Sequence, residues 1–172
     1  EYIYKEKICY GEEKVKRLIR YLKMLYIVCC KGGYARAKLL KKWEYFKKQG
    51  ENCFFQPWNF GSEPYLISFG NNVHIASGVT FVNHDVTAYM FQNMDNKKYK
   101  MRYGEIKIGD NVFVGTNSTI LYDVKIGNNV IIGAGSLVNK SIPDGVIVGG
   151  VPCKIIGKFD DYKKRIEFID NM

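Results

Sequence analysis

Ile108-Gly-Asp-Asn-Val-Phe, Val114-Gly-Thr-Asn-Ser-Thr, Ile120-Leu-Tyr-Asp-Val-Lys, Ile126-Gly-Asn-Asn-Val-Ile, Ile132-Gly-Ala-Gly-Ser-Leu and Val138-Asn-Lys-Ser-Ile-Pro follow one another without a break in phase. A branched aliphatic opens each hexad, Gly often follows, two turn-prone residues come next, and a small or aliphatic residue takes the fifth place. Neither a helix nor an ordinary strand repeats every six residues. A parallel β-helix does, with three short strands and three tight corners in each coil of about eighteen residues. The opening aliphatics are expected to point inward and stack coil on coil. Gly, Asn and Asp are expected at the corners, where the backbone visits conformations that a branched Cβ resists.

The same phase extends upstream. Phe69-Gly-Asn-Asn-Val-His, Ile75-Ala-Ser-Gly-Val-Thr and Phe81-Val-Asn-His-Asp-Val make another coil, and residues 63–68 fit poorly as the hexad before it. Phase is lost over 87–101 and regained at Arg102-Tyr-Gly-Glu-Ile-Lys. An insertion of this length in a regular scaffold tends to be functional or disordered. This one leaves directly after Asn83-His84-Asp85, which favours function.

The 172 residues suit one domain with additions at its ends. Five cysteines without metal-ligand spacing fit a reduced compartment better than a disulfide framework, and no bound metal is expected. The run 24–30 is too short to span a bilayer, and no signal-peptide layout is present, so a cytoplasmic location is expected.

The net charge of +9 is uneven: residues 1–50 carry 14 Lys/Arg against 5 Asp/Glu, and residues 51–172 carry 12 against 12. Residues 12–30 read as an amphipathic helix with Leu18, Leu22, Leu25 and Cys29 on one stripe and Lys16, Arg20 and Lys23 elsewhere. Residues 34–48 read as a second helix, with Ala35, Leu39, Trp43 and Phe46 at helical spacing and Gly50 at its end. The division is a basic helical cap over 1–50, coils over 51–158 and a helix over 159–172. The cap covers the open end of the coils and presents solvated cations; a sharper reading adds peripheral contact with anionic lipid or an anionic glycolipid. No nucleic-acid motif accompanies the charge, so nucleic acid is not expected as a partner. At the other end, Asp160 or Asp161 is expected to cap a helix burying Tyr162, Ile166 and Ile169.

The hexads, the Asn-His-Asp before a long loop, Gly133-Ala-Gly-Ser and Gly150-Val-Pro-Cys-Lys together resemble the left-handed β-helix acyltransferases. The likeness is nearest to the galactoside/maltose and capsule or lipopolysaccharide O-acetyltransferases related to xenobiotic acetyltransferases. It covers residues 51–158, and more loosely Tyr34-Ala-Arg-Ala-Lys. The resemblance implies left-handed crossovers, against the usual rule for parallel strands. It also implies a homotrimer with acetyl-CoA between neighbouring subunits. The acceptor would be a carbohydrate hydroxyl, plausibly on a cell-surface glycan precursor. Alternatives are transfer to an antibiotic or to an amino-sugar nitrogen, and a β-helix scaffold without catalysis. A carbonic-anhydrase-like site needs three histidines and this chain has two.

Transfer from a thioester to an alcohol needs a base for the hydroxyl proton, and imidazole suits that task near neutral pH. His84 takes the fourth place of its hexad just before the register breaks. Asp85 occupies a fifth place that other hexads give to Val or Ser, and such violations are where sites are expected. Asp85 could orient the imidazole, as could a backbone carbonyl or Glu105; Asn83 or backbone N–H groups could stabilise the oxyanion. His74 is expected to be solvated or to bond a corner, and Cys153 to pack.

The resemblance further implies coenzyme contacts at Gly115 and Thr116 beside the pantetheine arm and at Ala134 near its middle. Asn139 and Lys140 would lie beside the adenine end, and Lys154 would meet a phosphate. Phe113 stands where the sugar enzymes have Trp, and Gly157 where they have a second Arg. In the aromatic run 54–60 and the opening of the insertion, Trp58, Asn59 and Tyr89 are the acceptor candidates.

Overall fold

The computed structural model describes residues 22, 23 and 25–169. Two compact units meet in sequence between Lys31 and Gly32. The second helical stretch falls in the unit that holds the coils. In the first unit, residues 22, 23 and 25–29 are helical; Leu22, Leu25 and Cys29 are exposed and Ile27 is buried. Leu18, Lys16 and Arg20 lie outside the described residues. No helix among the described residues is long and apolar enough to cross a membrane.

The second unit begins with α1 (Gly33–Lys42), β1 (Lys48–Gln49) and β2 (Phe54–Phe55), followed by a 3-10 turn at Pro64–Leu66. Next come β3 (Ile67–Phe69), β4 (Val73–Ile75), β5 (Thr80–Val82) and β6 (His84–Asp85). The insertion carries α2 (Thr87–Asp95) and returns through β7 (Arg102–Tyr103). Six strands continue the hexads: β8 (Ile106–Ile108), β9 (Val112–Val114), β10 (Thr119–Leu121), β11 (Val124–Ile126), β12 (Val130–Ile132) and β13 (Leu137–Val138). The chain ends with β14 (Val146–Gly149), β15 (Lys154–Lys158) and α3 (Phe159–Ile169).

Three parallel faces enclose the core. One orders β1-β3-β8-β11, a second β13-β10-β5, and a third β14-β12-β9-β4-β2 with β15 added antiparallel at its end. The aliphatic and aromatic hexad-opening residues from Phe69 to Val138 are buried, namely Phe69, Ile75, Phe81, Ile108, Val114, Ile120, Ile126, Ile132 and Val138, while Arg102, which opens the hexad after the insertion, is exposed. The fifth places are buried too, including Ser118 and Ser136, whose hydroxyls donate to Gly133 O. Asp85 is the fifth-place residue that stays partly exposed.

The corners follow a rule of their own. The fourth residue of the hexads is left-handed at Asn72, Gly78, Asn111, Asn117, Asp123, Asn129 and Gly135, a conformation that Asn, Asp and Gly tolerate. Successive corners bond side chain to side chain: Asn72 Nδ2 donates to Asn111 Oδ1 at 2.9 Å, and Asn111 Nδ2 to Asn129 Oδ1 at 2.9 Å. Glycine at the second place serves a different need. A Cβ on Gly115 would come within 2.5 Å of Ala134 N, so its absence lets one coil rest on the next.

The second helix is shorter than 34–48. It stops at Lys42, and Glu44 adopts a positive φ of 49°. Its buried residues are Gly33, Ala37 and Leu40, rather than Ala35, Leu39 and Trp43. Phe46 leaves the helix to enter the end of the stack, with ring centroids 4.8 Å from both Phe60 and Phe69. Burying a phenyl ring contributes about 2–3 kcal/mol, enough to override helix propensity at a helix end. Phe55 and Phe60, fully buried, join this cluster, so most of the aromatic run packs the cap. At the other end, Tyr162 and Ile166 are exposed rather than buried, and Ile169's side chain lies outside the described residues. Asp160 and Asp161 lie in the first turn of α3, where carboxylates complement the helix dipole, rather than at its cap.

Candidate active site

His84 stands where the corner rule fails. Its hexad position calls for a left-handed residue, yet β6 is extended and pairs antiparallel with β7, His84 opposite Tyr103 and Asp85 opposite Arg102. The insertion therefore leaves and returns as a two-stranded ribbon. Asn83 clamps its neck: Gly104 N donates to Asn83 O at 2.8 Å, and Asn83 Nδ2 donates to Gly104 O at 3.1 Å. With its side chain buried and its amide nitrogen committed to this clamp, Asn83 is not placed to donate to an oxyanion.

The acid at His84 is Glu63, a residue that reading the sequence did not single out. Glu63 Oε2 lies 2.7 Å from His84 Nδ1, with the carboxylate side chain only 12% exposed and the imidazole 26%. A carboxylate at that distance holds the proton on Nδ1, which leaves Nε2 as the basic nitrogen. Tyr103 flanks the imidazole, ring centroids 5.5 Å apart. Glu63 precedes the Pro64–Leu66 turn, in the hexad that fitted poorly; no local pattern could have linked it to His84.

Asp85 serves the ribbon instead of the imidazole. It accepts from Thr87 Oγ1 at 2.5 Å, from Thr87 N at 3.2 Å and from the Tyr122 hydroxyl at 2.8 Å. These bonds, led by that from Thr87, hold its carboxyl below the usual range. Arg102 stacks over Tyr122 at 4.9 Å and donates to Asp123 at 3.1 Å, tying β7 to the next coil. Glu105 is likewise occupied: Lys107 and Lys47 pair with it and hold its carboxyl down to about 2.

His74 is partly exposed on the outer side of β4. It stacks on Phe54 at 5.6 Å and meets Tyr34 edge-on, and burial lowers its pKa. Burial likewise pushes the Cys153 thiol up, which disfavours the thiolate that a nucleophile would need.

The residues matched to coenzyme contacts are split between two corner columns. Gly115 and Thr116 follow β9, and Ala134 follows β12 one coil on; Gly135 N donates to Thr116 O at 2.8 Å. Asn139 and Lys140, exposed, follow β13 and so lie on the edge that follows β5, while the exposed Lys154 opens β15 opposite Gly149. Phe113 is 45% exposed on the outer side of β9. His84 does not join the Gly115–Ala134 column. It follows β5, whereas the column precedes β10 and β13, so the two flank opposite edges of the three-stranded face. Trp58 and Asn59 share a groove of about 240 Å³ with Gly61, Gly78 and Thr80, while Tyr89 lies on α2, exposed and outside that groove. No cluster of three potential metal ligands occurs among the described residues.

Residues 105–140 match the model of the bacterial transferase hexapeptide (six repeats). Protein CapG of Staphylococcus aureus is 49% identical over 122 residues, covering 68% of this chain and 69% of that protein. Galactoside O-acetyltransferase of Escherichia coli K12 is 34% identical over 155 residues, covering 78% and 74%. A solved galactoside acetyltransferase in complex with coenzyme A superposes with a TM-score of 0.62 at 29% identity, over 88% of this chain and 84% of that one. The unbroken hexads, the buried first and fifth places and these relatives place the chain in the hexapeptide-repeat transferases, as a left-handed β-helix acyltransferase.

Proposed function

We propose that the protein transfers the acetyl group of acetyl-CoA to a hydroxyl of a carbohydrate, with His84 as general base. The observation that carries this reading is the Glu63–His84 pair at the corner where the stack is interrupted. Nε2 takes the proton of the acceptor hydroxyl as its oxygen attacks the acetyl carbonyl carbon. The carbon–sulfur bond then breaks, and the proton passes from the imidazolium to the departing thiolate. Glu63 fixes the tautomer and stabilises the imidazolium between the two steps. With Asn83 engaged in the clamp, backbone N–H groups remain as the oxyanion donors.

In this reading a second chain completes the site. Strands of three residues span roughly 10 Å, and His84 and the Gly115–Ala134 column stand at opposite ends of such strands. Reacting atoms must approach to about 3–3.5 Å. A cyclic trimer, in which the column of one subunit meets His84 of the next, closes that distance. Lys140 and Lys154 would supply the cations for coenzyme phosphates, and Phe113 an apolar wall for the pantetheine arm.

The test is a thiol-release assay with acetyl-CoA and simple glycosides on the purified protein and on His84→Ala. The expected result is acceptor-dependent release that falls about a thousandfold in the variant, with coenzyme affinity retained. Release within twofold of the parent would remove His84 from the role of base.

A further inference from the structure

We infer that an uncharged sugar ring is bound in the groove between Trp58 and β5, so that acceptor and coenzyme lie on one subunit and His84 comes from the next. This rests on the acetyl-transfer reading above and names the part of the acceptor that is recognised. The groove, about 240 Å³, is walled by residues of the 57–61 segment on one side and of 78–81 on the other, and none of the side chains that line it is ionisable. Three further grooves differ in this respect. Glu105, Lys107, Asp123 and Lys125 line one, Lys158, Asp161 and Arg165 another, and Lys38, Lys41 and Glu51 a third. A charged ligand entering beside Trp58 would lose hydration without meeting a counter-charge; an uncharged one loses far less.

The lining suits a pyranose, which has an apolar C–H face and a rim of hydroxyls. Trp58 is 48% exposed, whereas Phe55 and Phe60 on either side of it in sequence are fully buried, so its indole presents a surface on which the C–H face can rest. Asn59 Oδ1 accepts from Gly61 N at 3.0 Å, which fixes the amide and turns its Nδ2 hydrogens to other partners. Thr80, exposed at the start of β5, adds a hydroxyl. Asn83 Oδ1 is buried without a hydrogen-bond partner among the described residues and lies 3.9 Å from the place a Cβ on Gly61 would take. Buried acceptors are rarely left so; a ligand hydroxyl, or a water trapped beneath the ring, answers this one. Position is the second argument. Gly78 is the corner residue one coil before Asn117: a Cβ on it would run into Asn117 Oδ1, and Asn117 N donates to Ser77 O at 3.0 Å. Asn117 directly follows Thr116, and Thr80 pairs with Thr119. The groove therefore opens one coil, about 4.8 Å, from the Gly115–Ala134 column. A ring held there shares an edge of the prism with the coenzyme, the edge opposite to its own His84.

Isothermal titration of the whole protein, without coenzyme, with a panel of methyl hexosides and the corresponding methyl hexuronides tests the assignment. The best hexoside is expected to bind on the order of tenfold tighter than its uronide. Trp58→Ala is expected to weaken that hexoside by about tenfold or more with acetyl-CoA affinity unchanged, and Trp58→Phe to recover part of the loss. Thr80→Val, which keeps the shape of the side chain, should weaken it severalfold, and His84→Ala should bind it as the parent does. Equal binding of hexosides and uronides, no binding by any hexoside, or parental binding by Trp58→Ala would overturn the proposal. Trp58-dependent binding of a hexoside that is never acetylated would support the groove and count against the acetyl-transfer reading. Acetyl transfer with a parental acceptor KM in Trp58→Ala would support that reading and sink the groove.

Discussion

From Ile108 to Pro143 each residue takes its place from its neighbours in the repeat; from Asn83 to Gly104 the places are set by residues far away in sequence. In the coils, a first-place aliphatic meets the one a coil above, and an Asn corner bonds the Asn corner below. Here His84 meets Glu63 and Tyr103, and Asp85 meets Tyr122, across 19 to 37 positions. The contrast teaches that the stack supplies a rigid edge, and that the proposed chemistry sits where one corner is left out of it.

The comparison can be broken at the stack or at the excursion. Ile120→Ala, in the coil core, is expected to cost about 2–5 kcal/mol of stability, measured by denaturant unfolding, while the folded fraction keeps its turnover. A loss of turnover without a loss of stability would mean that the coils do more than support. Glu63→Gln is expected to do the reverse, lowering kcat about tenfold to a hundredfold with unfolding unchanged, and Glu63→Asp to recover part of the loss. Unchanged kcat in Glu63→Gln would make the pair a static contact.

Smaller effects sharpen the picture of the ribbon. Tyr122→Phe removes one bond to Asp85 and is expected to lower stability by less than about 1 kcal/mol. It should speed proteolytic cleavage between α2 and β7; identical cleavage rates would show that Asp85 anchors nothing. The smallest effect concerns acid. Glu105 is held at about 2, below its ordinary 4.5, first by Lys107 and then by Lys47. A depressed carboxyl supports the fold fully above pH 4.5 and loses that support as pH falls towards 2. Glu105→Gln should therefore flatten the melting temperature between those values, weakly and less so in high salt, because the group is exposed.

The coils were legible because the hexad repeats its burial demand: an inward aliphatic at place one and a small or aliphatic residue at place five leave few alternatives. The departure of His84 from the repeat was legible for the opposite reason, as a corner residue that breaks the pattern beside a polar fifth place. Glu63 was not, since its contact with His84 is created by winding the chain once around the prism. Nor was α2, which buries only Ala88 of its nine residues and so shows no apolar stripe. Phe46 misled the reading of the second helix because its spacing is helical while its burial comes from the end of the stack. Tyr162 and Ile166 misled in the same way, with helical spacing on a face that this chain leaves open.

The central claim, that His84 of one subunit works on coenzyme held by the column of the next, can be tested by mixing two inactive variants. His84→Ala lacks the base, and Ala134→Trp blocks the exposed corner. After the two are unfolded together and reassembled, random mixing should return about a quarter of the parental acetyl-transfer rate, because one site in four draws a sound half from each variant. No recovery in assemblies shown to contain both chains would contradict the account.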